Sequence, residues 1–385
     1  MEIQIKNLSS QVVFKECSQK YKIFRDVYAK GLLGLEIRNI DSSDGDRIHK
    51  IVLSEKEICY KSTERDNRET CIFIPGAIWN FKELAKRILA AGNEDVGYKI
   101  INAIKKYENY DSVSYNIGGR VFNFEHSYVM GILNITPDSF SDGGRYIDKQ
   151  EAVRHAFQMC GDGADIIDIG GESTRPGSLP VSVEDELERV VPVIEAILKE
   201  NDKVVISVDT NKSRVADEAL KAGALIINDI SGMTFDRDIA SVVAKHNAAV
   251  VLMHIKGAPE NMQNNPQYSD LINEIYDFLH EQAEVARKHN IKNIIIDPGI
   301  GFGKTVENNF EILKRLEDFK TLGYPVLAGV SRKTFLGKTF NLDVDKRDEV
   351  TAITEALAIK NGAKIIRTHN VKLGKQAAIL AGNMS

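Results

Sequence analysis

Ala164-Asp-Ile-Ile-Asp-Ile-Gly-Gly-Glu-Ser-Thr-Arg-Pro-Gly177 begins as a buried strand and ends as a loop that packing does not require. The mostly apolar run Ala164 to Ile169 suits a strand covered on both faces. The glycines that follow permit unusual backbone angles, and Glu172, Ser173, Thr174 and Arg175 bring charge and hydrogen-bonding groups. A functional loop at the carboxyl end of a strand is the natural reading.

The same pattern recurs on both sides of this stretch. Strands are expected at Tyr128–Asn134, Ile166–Gly170, Val204–Asp209, Leu225–Asp229, Ala249–His254, Ile294–Asp297, Val326–Val330 and Ile365–Thr368. The helices between and after them are expected at Lys149–Cys160, Val183–Glu200, Lys212–Ala222, Asp236–His246, Ser269–His289, Asn308–Phe319, Arg347–Asn361 and Val371–Ala381. Eight such units in about 250 residues predict a (β/α)8 TIM barrel rather than a doubly wound sheet.

Residues 1–125 read as a smaller N-terminal α/β domain, and 126–385 as the barrel. Polar, turn-like segments are expected at Asp41–Asp46 and Lys61–Arg68, between Leu33–Ile37, Ile51–Leu53 and Cys71–Ile74. Helical periodicity marks Asn80–Ala90 and Val96–Tyr107, and Trp79 is expected in the core. This part has no evident catalytic cluster.

Composition narrows the class. The chain has 385 residues, 43% of them hydrophobic, and a net charge of −5 without a basic block, so a nucleic-acid partner is not expected. Cys17, Cys59, Cys71 and Cys160 are scattered, which speaks against a disulfide framework and a zinc ribbon. No apolar run approaches the roughly 18 residues of a membrane span, and the start lacks a signal-like core. A cytoplasmic protein is expected.

Barrel enzymes work at the carboxyl ends of their strands. Here those ends carry Asn134, Asp168, Asp209-Thr210, Asn228-Asp229, Met253-His254, Asp297, Ser331-Arg-Lys333 and Arg367-Thr-His369. Helix caps account for some, Asp209 and Asp229 among them, but not for Asn, Met, Lys, Arg and His together. Asp209, Asn228 and Asp297 offer acceptors for a flat heterocycle with adjacent N–H donors, and Lys333 suits a carbonyl oxygen or ring nitrogen of the same ligand. Arg367 can stack on a ring or hold an anion, and with His369 and Asn134 it suits phosphate. Mg²⁺ would balance a pyrophosphate, with Asn134 an available oxygen ligand. Gly299-Ile-Gly-Phe-Gly-Lys-Thr305 imitates a P-loop, but Pro298 stands where its first glycine is required. His254 reads as a core histidine, and Glu172 as an anchor of its own loop.

With these residues in view, the chain resembles dihydropteroate synthase from about Ser127 to its end. The resemblance rests on Met130-Gly-Ile-Leu-Asn-Ile-Thr-Pro-Asp-Ser-Phe-Ser-Asp-Gly-Gly144, on Asp168–Gly177, and on the ordered motifs at 206–210, 227–230, 297–304, 331–333 and 367–369. It implies condensation of 6-hydroxymethyl-7,8-dihydropterin diphosphate with 4-aminobenzoate, giving 7,8-dihydropteroate and pyrophosphate. It further implies that Asp209, Asn228, Asp297 and Lys333 hold the pterin, flanked by Met253 and Arg367. Asn134, Arg367 and His369 would bind the diphosphate, with Mg²⁺ at Asn134, and Asp297, Lys333, Arg367 and His369 would carry the catalysis. The 4-aminobenzoate site would take Thr174, Arg175 and Pro176 from the second loop, with Phe302, Lys333 and Thr334. A homodimer is implied as well.

Two positions depart from the family pattern: Thr334 stands where Ser is common, and Asn370 where Asp is common. The nearest alternative is a methyltetrahydrofolate-dependent methyltransferase on a related barrel. A non-catalytic pterin-binding barrel is the alternative from another class.

Overall fold

In the computed structural model, which describes residues 1–22, 32–54, 59–63, 69–135, 145–173, 178 and 180–384, the chain divides into two units. One comprises Met1–Asp111 with Lys314–Gly323, the other Ser112–Leu313 with Tyr324–Ser385.

The smaller unit contains β1 (Glu2–Asn7), α1 (Gln11–Tyr21), β2 (Leu33–Asp41), α2 (Ser42–Ser54), β3 (Tyr60–Thr63), β4 (Glu69–Gly76), α3 (Ile78–Ala90) and α4 (Glu94–Glu108). Its antiparallel sheet runs β1-β2-β4-β3. Ile3, Ile5, Leu35, Ile37, Ile72 and Ile74 form one sheet face and pack with Phe81, Leu84, Ile88, Ile100 and Ile104 of α3 and α4. Most of the turn expected at Asp41–Asp46 is helical, as is the neighbouring Ile51–Leu53. Ile48 and Val52 explain why: four residues apart, they are the side chains α2 buries. The Asp41 carboxylate accepts from Ser43 N at 2.8 Å and starts the helix. Trp79, expected in the core, is 69% exposed, because α3 buries the positions at 81, 84, 85 and 88 instead. Of the expected turn Lys61–Arg68, residues 61–63 are strand, and 64–68 lie outside the described residues.

The opposite sheet face buries charge. Glu36 lies 3.0 Å from both Lys6 and Lys20, accepts from the Tyr21 hydroxyl at 2.6 Å, and neighbours Arg38 at 3.7 Å. The segment 314–323 joins this unit through Arg315, buried and paired with Asp318 and Glu16.

The larger unit opens with a hairpin, β5 (Ser114–Ile117) and β6 (Arg120–Asn123), which the sequence reading had assigned to the first domain. The hairpin belongs to the barrel because Ile117, Phe122 and Phe124 share a core with Met130, Ile166, Val205, Ile226, Ile295 and Ile365. It thereby closes the amino-terminal end of the strands, where the Tyr115 hydroxyl donates to Ile294 O at 2.8 Å. Then follow β7 (Tyr128–Asn134), α5 (Arg145–Asp162), β8 (Ile166–Gly170), α6 (Val183–Glu200), β9 (Ile206–Asp209) and α7 (Ser213–Lys221). Next come β10 (Ile226–Asp229), α8 (Ile239–Lys245), β11 (Ala249–Met253), α9 (Leu271–Lys288), β12 (Ile294–Asp297) and α10 (Val306–Lys314). The unit ends with β13 (Val326–Ala328), α11 (Thr334–Phe340), α12 (Asp348–Lys360), β14 (Ala363–Thr368) and α13 (Val371–Gly382).

The eight strands β7 to β14 close into a parallel barrel, with β14 paired to β7. Two helices rather than one follow β13, and the helix expected over Asn308–Phe319 stops at Lys314. Among the described residues, no helix is long and apolar enough to cross a membrane.

Burial raises the Glu36 pKa, but Lys6, Lys20 and Arg38 outweigh it and hold the group at about 2. Its stabilising contribution is therefore complete above the ordinary carboxylate range near 4.5 and is lost as the pH falls toward 2. Glu36→Gln, which strands buried cations, is expected to destabilise the small unit by roughly 3 to 5 kcal/mol. Urea denaturation followed by Trp79 fluorescence at pH 7 checks this, and an unchanged midpoint contradicts it.

Candidate active site

Strand register sets the height of each functional group. Asn134 is level with Gly170, Gly170 with Asp209, Asp209 with Asn228, and Met253 with Asp297. These residues therefore meet at the carboxyl rim although the chain separates them widely.

Arg367 of β14 is the hub. Its Nε donates to Asp168 Oδ2 at 2.6 Å, and its Nη2 donates to Asp209 Oδ2 at 2.7 Å. Asp168 is fully buried and also accepts from Asn228 Nδ2 at 3.0 Å. That bond fixes the Asn228 amide, so its carbonyl oxygen is the side left to accept from a ligand. Burial raises the Asp209 pKa against the pull of Arg367; burial opposes the charge of Arg367, but Asp168 and Asp209 outweigh it and raise the Arg367 pKa.

Asp297 lies across the rim, its Oδ1 accepting from Gly299 N at 2.7 Å. Burial raises its pKa, opposed first by Lys333. The Lys333 ammonium donates to Ile300 O and lies 4.6 Å from the centroid of the Phe302 ring. The loop that brings these groups together depends on two glycines. Gly299 has φ +70°, and a Cβ there would come within 1.8 Å of His254 O. Gly301 has φ +85°, and its Cβ would meet Lys333 Cδ at 2.8 Å. Met253 packs with Ile230, Ile255, Met262 and Phe302 as an apolar wall beside Asp297. His369 Nδ1 lies 2.9 Å from Ser331 Oγ, which also accepts from His369 N at 3.1 Å.

Asp209, Asn228, Met253, Asp297, Lys333, Arg367 and His369 thus share one rim, with Phe302 against Lys333. Thr334 opens α11 directly after Lys333 and is exposed. Asn134 ends β7 beside Gly170. Thr174, Arg175, Pro176 and residues 136–144 of the first motif lie outside the described residues. The Gly-rich decoy resolves clearly: Lys304 is buried, its ammonium 3.0 Å from His254 Nδ1 and donating to Phe302 O at 2.9 Å. His254 is itself buried, as a core histidine should be. Asn370 caps α13 through Leu373 N at 3.2 Å, a role that needs an oxygen acceptor and no charge.

Two supporting pairings go beyond what the sequence implies. Asp168 orders Arg367 and Asn228 from below; its polar character inside an apolar strand was the available signal. Lys212 joins Glu172 at 2.7 Å and also pairs with the buried Glu186. Glu172 accepts from Val181 N at 2.9 Å as well, so it anchors the base of its loop as expected.

Residues 130–369 match the pterin binding enzyme family. The chain belongs to the dihydropteroate synthases. It is 47% identical over 270 residues to the dihydropteroate synthase of Synechocystis, covering 69% of this chain and 93% of that one. The Bacillus subtilis dihydropteroate synthase is 51% identical over 252 residues, 64% of this chain and 85% of that protein. Among solved structures, the Yersinia pestis synthase in complex with a sulfonamide drug aligns with a TM-score of 0.67 and 39% identity, over 71% of this chain and 99% of that one. The Xanthomonas albilineans synthase with 4-aminobenzoic acid gives 0.66 and 38%, over 71% and 98%.

Burial lowers the Lys333 pKa to about 8 from 10.5, against the opposing pull of Asp297. Because the folded value lies below the ordinary one, this group adds stability as the pH rises from about 8 toward 10.5. Lysine side-chain NMR should show one resonance titrating near pH 8 that Lys333→Arg removes. Titration of every lysine near 10.5 contradicts that environment.

Proposed function

We infer that the strand-end ring is where this chain carries out the dihydropteroate synthase reaction. 6-Hydroxymethyl-7,8-dihydropterin diphosphate and 4-aminobenzoate condense there to 7,8-dihydropteroate and pyrophosphate. The observation that carries the placement is the Arg367 guanidinium held between Asp168 and Asp209, with Asn228 fixed by the same Asp168.

Asp209, Asp297 and the oriented Asn228 oxygen accept from the N–H-rich edge of the pterin, and Lys333 donates to its acceptor side. Met253 and the plane of Arg367 flank the ring. Arg367 and His369, with Asn134, take the diphosphate. The reaction is substitution at the methylene carbon: the bond to the diphosphate oxygen breaks, and the arylamine nitrogen forms the new bond and sheds a proton. Positive charge that develops on the dihydropterin is favoured by Asp297, and negative charge on the leaving group by Arg367 and His369. An aniline nitrogen attacks without prior deprotonation, so no strong base is required. The 4-aminobenzoate stands against Phe302, Lys333 and Thr334; the family resemblance adds Thr174, Arg175 and Pro176 from the loop after β8. The tie of Glu172 to Lys212 and Val181 N supports that loop at its base.

The residues present suit Mg²⁺. Asn134 supplies a neutral amide oxygen at the rim, 3.4 Å from where a Cβ on Gly170 would stand. Among the described residues, no cluster of three or more His, Cys, Asp or Glu side chains competes for a cation. A hard cation that keeps its waters and takes its other oxygens from substrate phosphates needs no more protein than that. When bound, it would neutralise charge on the departing pyrophosphate.

We also propose a cytoplasmic homodimer. Four free thiols support a reducing compartment. Ile353 and Leu357 of α12 and Ile379 and Leu380 of α13, all more than half exposed on helices that pack together, supply an apolar face for a second copy.

Pyrophosphate release measured with Mg²⁺, with and without 4-aminobenzoate, tests the reaction; release that ignores 4-aminobenzoate sinks it. Arg367→Ala is expected to weaken diphosphate-pterin binding about 10- to 100-fold and 4-aminobenzoate binding much less. Equal losses would contradict the placement. Sedimentation of Leu357→Glu should show a monomer where the unmodified chain shows a dimer.

A further inference from the structure

Arg332 has φ +55°, a left-handed conformation that non-glycine residues adopt only when their surroundings impose it. It sits between Ser331, which binds His369, and Lys333, whose ammonium donates to Ile300 O and lies against the Phe302 ring. Its surroundings are therefore part of how both groups are aimed.

Arg332 is held through its backbone N–H, its carbonyl and its guanidinium. Its N–H donates to Thr351 Oγ1 at 3.1 Å, and its carbonyl accepts from Arg347 Nη1 at 2.9 Å. Its guanidinium grips Asp348 with two parallel bonds, Nε to Oδ1 at 2.6 Å and Nη2 to Oδ2 at 2.8 Å. Such a fork fixes direction as well as distance. Asp348 is the first residue of α12, and its Oδ2 also accepts from Asn370 Nδ2 at 3.0 Å. Asn370 follows His369 and uses its own oxygen to cap α13. One carboxylate thus ties the segment after β13 to the segment after β14.

We propose that Asp348 is a positioning residue of the synthase. Through Arg332 and Asn370 it holds Lys333 and His369 at a fixed separation, so that the pterin and its diphosphate are gripped together. Both Asp348 oxygens are occupied by these partners, and it acts without touching substrate. The inference rests on the substrate placement given above. It adds that the two rim segments are set by a carboxylate outside the ring.

The test compares the full chain with Asp348→Asn, Arg332→Gln and the double variant. KM for the dihydropterin diphosphate, inhibition by inorganic pyrophosphate and melting temperature are read for each. Asp348→Asn should raise the pterin-diphosphate KM and the pyrophosphate inhibition constant about tenfold, without moving the melting temperature by more than a few degrees. The double variant should be no worse than the more affected single, because both cut the same clamp. Asn370→Ser keeps an oxygen for the α13 cap but loses the amide donor, and should weaken pyrophosphate inhibition alone. It decides the matter if Asp348→Asn fails to fold. Additive losses, or unchanged pyrophosphate inhibition in both Asp348→Asn and Asn370→Ser, would overturn the proposal. An unmodified chain that turns over while the variants match it refutes the clamp alone; one that binds no pterin diphosphate refutes the placement beneath it.

Discussion

A guanidinium buried against two carboxylates is the constraint on which the rest of the site depends. Arg367 cannot enter the barrel mouth uncompensated, since an unpaired charge there would cost several kcal/mol. Asp168 and Asp209 supply the compensation at 2.6 and 2.7 Å. Asp168 can do so only because the last strand of the barrel lies beside the first, with β8 next in line. Barrel closure and charge compensation are therefore one event. Asn228, bonded to the same Asp168, takes its orientation from it.

Around that hub the rim separates charge by side. Acidic and amide groups gather on strands β8, β9, β10 and β12, whereas Lys333, Arg367 and His369 come from the segments ending β13 and β14. A ligand with a donor-rich heterocycle and an anionic tail fits that polarity in one orientation. The cationic side is tied in place through Ser331, Arg332 and Asp348. Anion recognition demands this stiffness, because a flexible ammonium or imidazole would lose its directional advantage to water.

The barrel was legible in the sequence because its strands are short, apolar and buried on both faces, so their pattern differs sharply from the amphipathic helices between them. Tyr128–Asn134, Ile166–Gly170 and Ile294–Asp297 coincide with observed strands. The small unit was less legible. Its α2 buries Ile48 and Val52 fully and Ile51 in part, a short stripe that does not override the turn-like composition of Asp41–Asp46. Its sheet buries Lys6, Glu36 and Arg38 on the face opposite the apolar one, which defeats a reading that equates charge with exposure. The hairpin at Ser114–Asn123 also misled, since nothing local says that Phe122 and Phe124 plug the barrel.

By itself the sequence determined which chemical groups end each strand, because alternating secondary structure places them there whatever the packing. The need for glycine at positions 299 and 301 came only from the fold, which brings His254 O and the Lys333 side chain against them. The tertiary structure alone decided which groups pair. Asp168 binding both Arg367 and Asn228, Lys212 joining Glu172 to Glu186, and Asp348 bridging Arg332 to Asn370 all link different elements. Such pairings are set by strand register and barrel closure, and these are properties of the assembled sheet that no single stretch of chain contains.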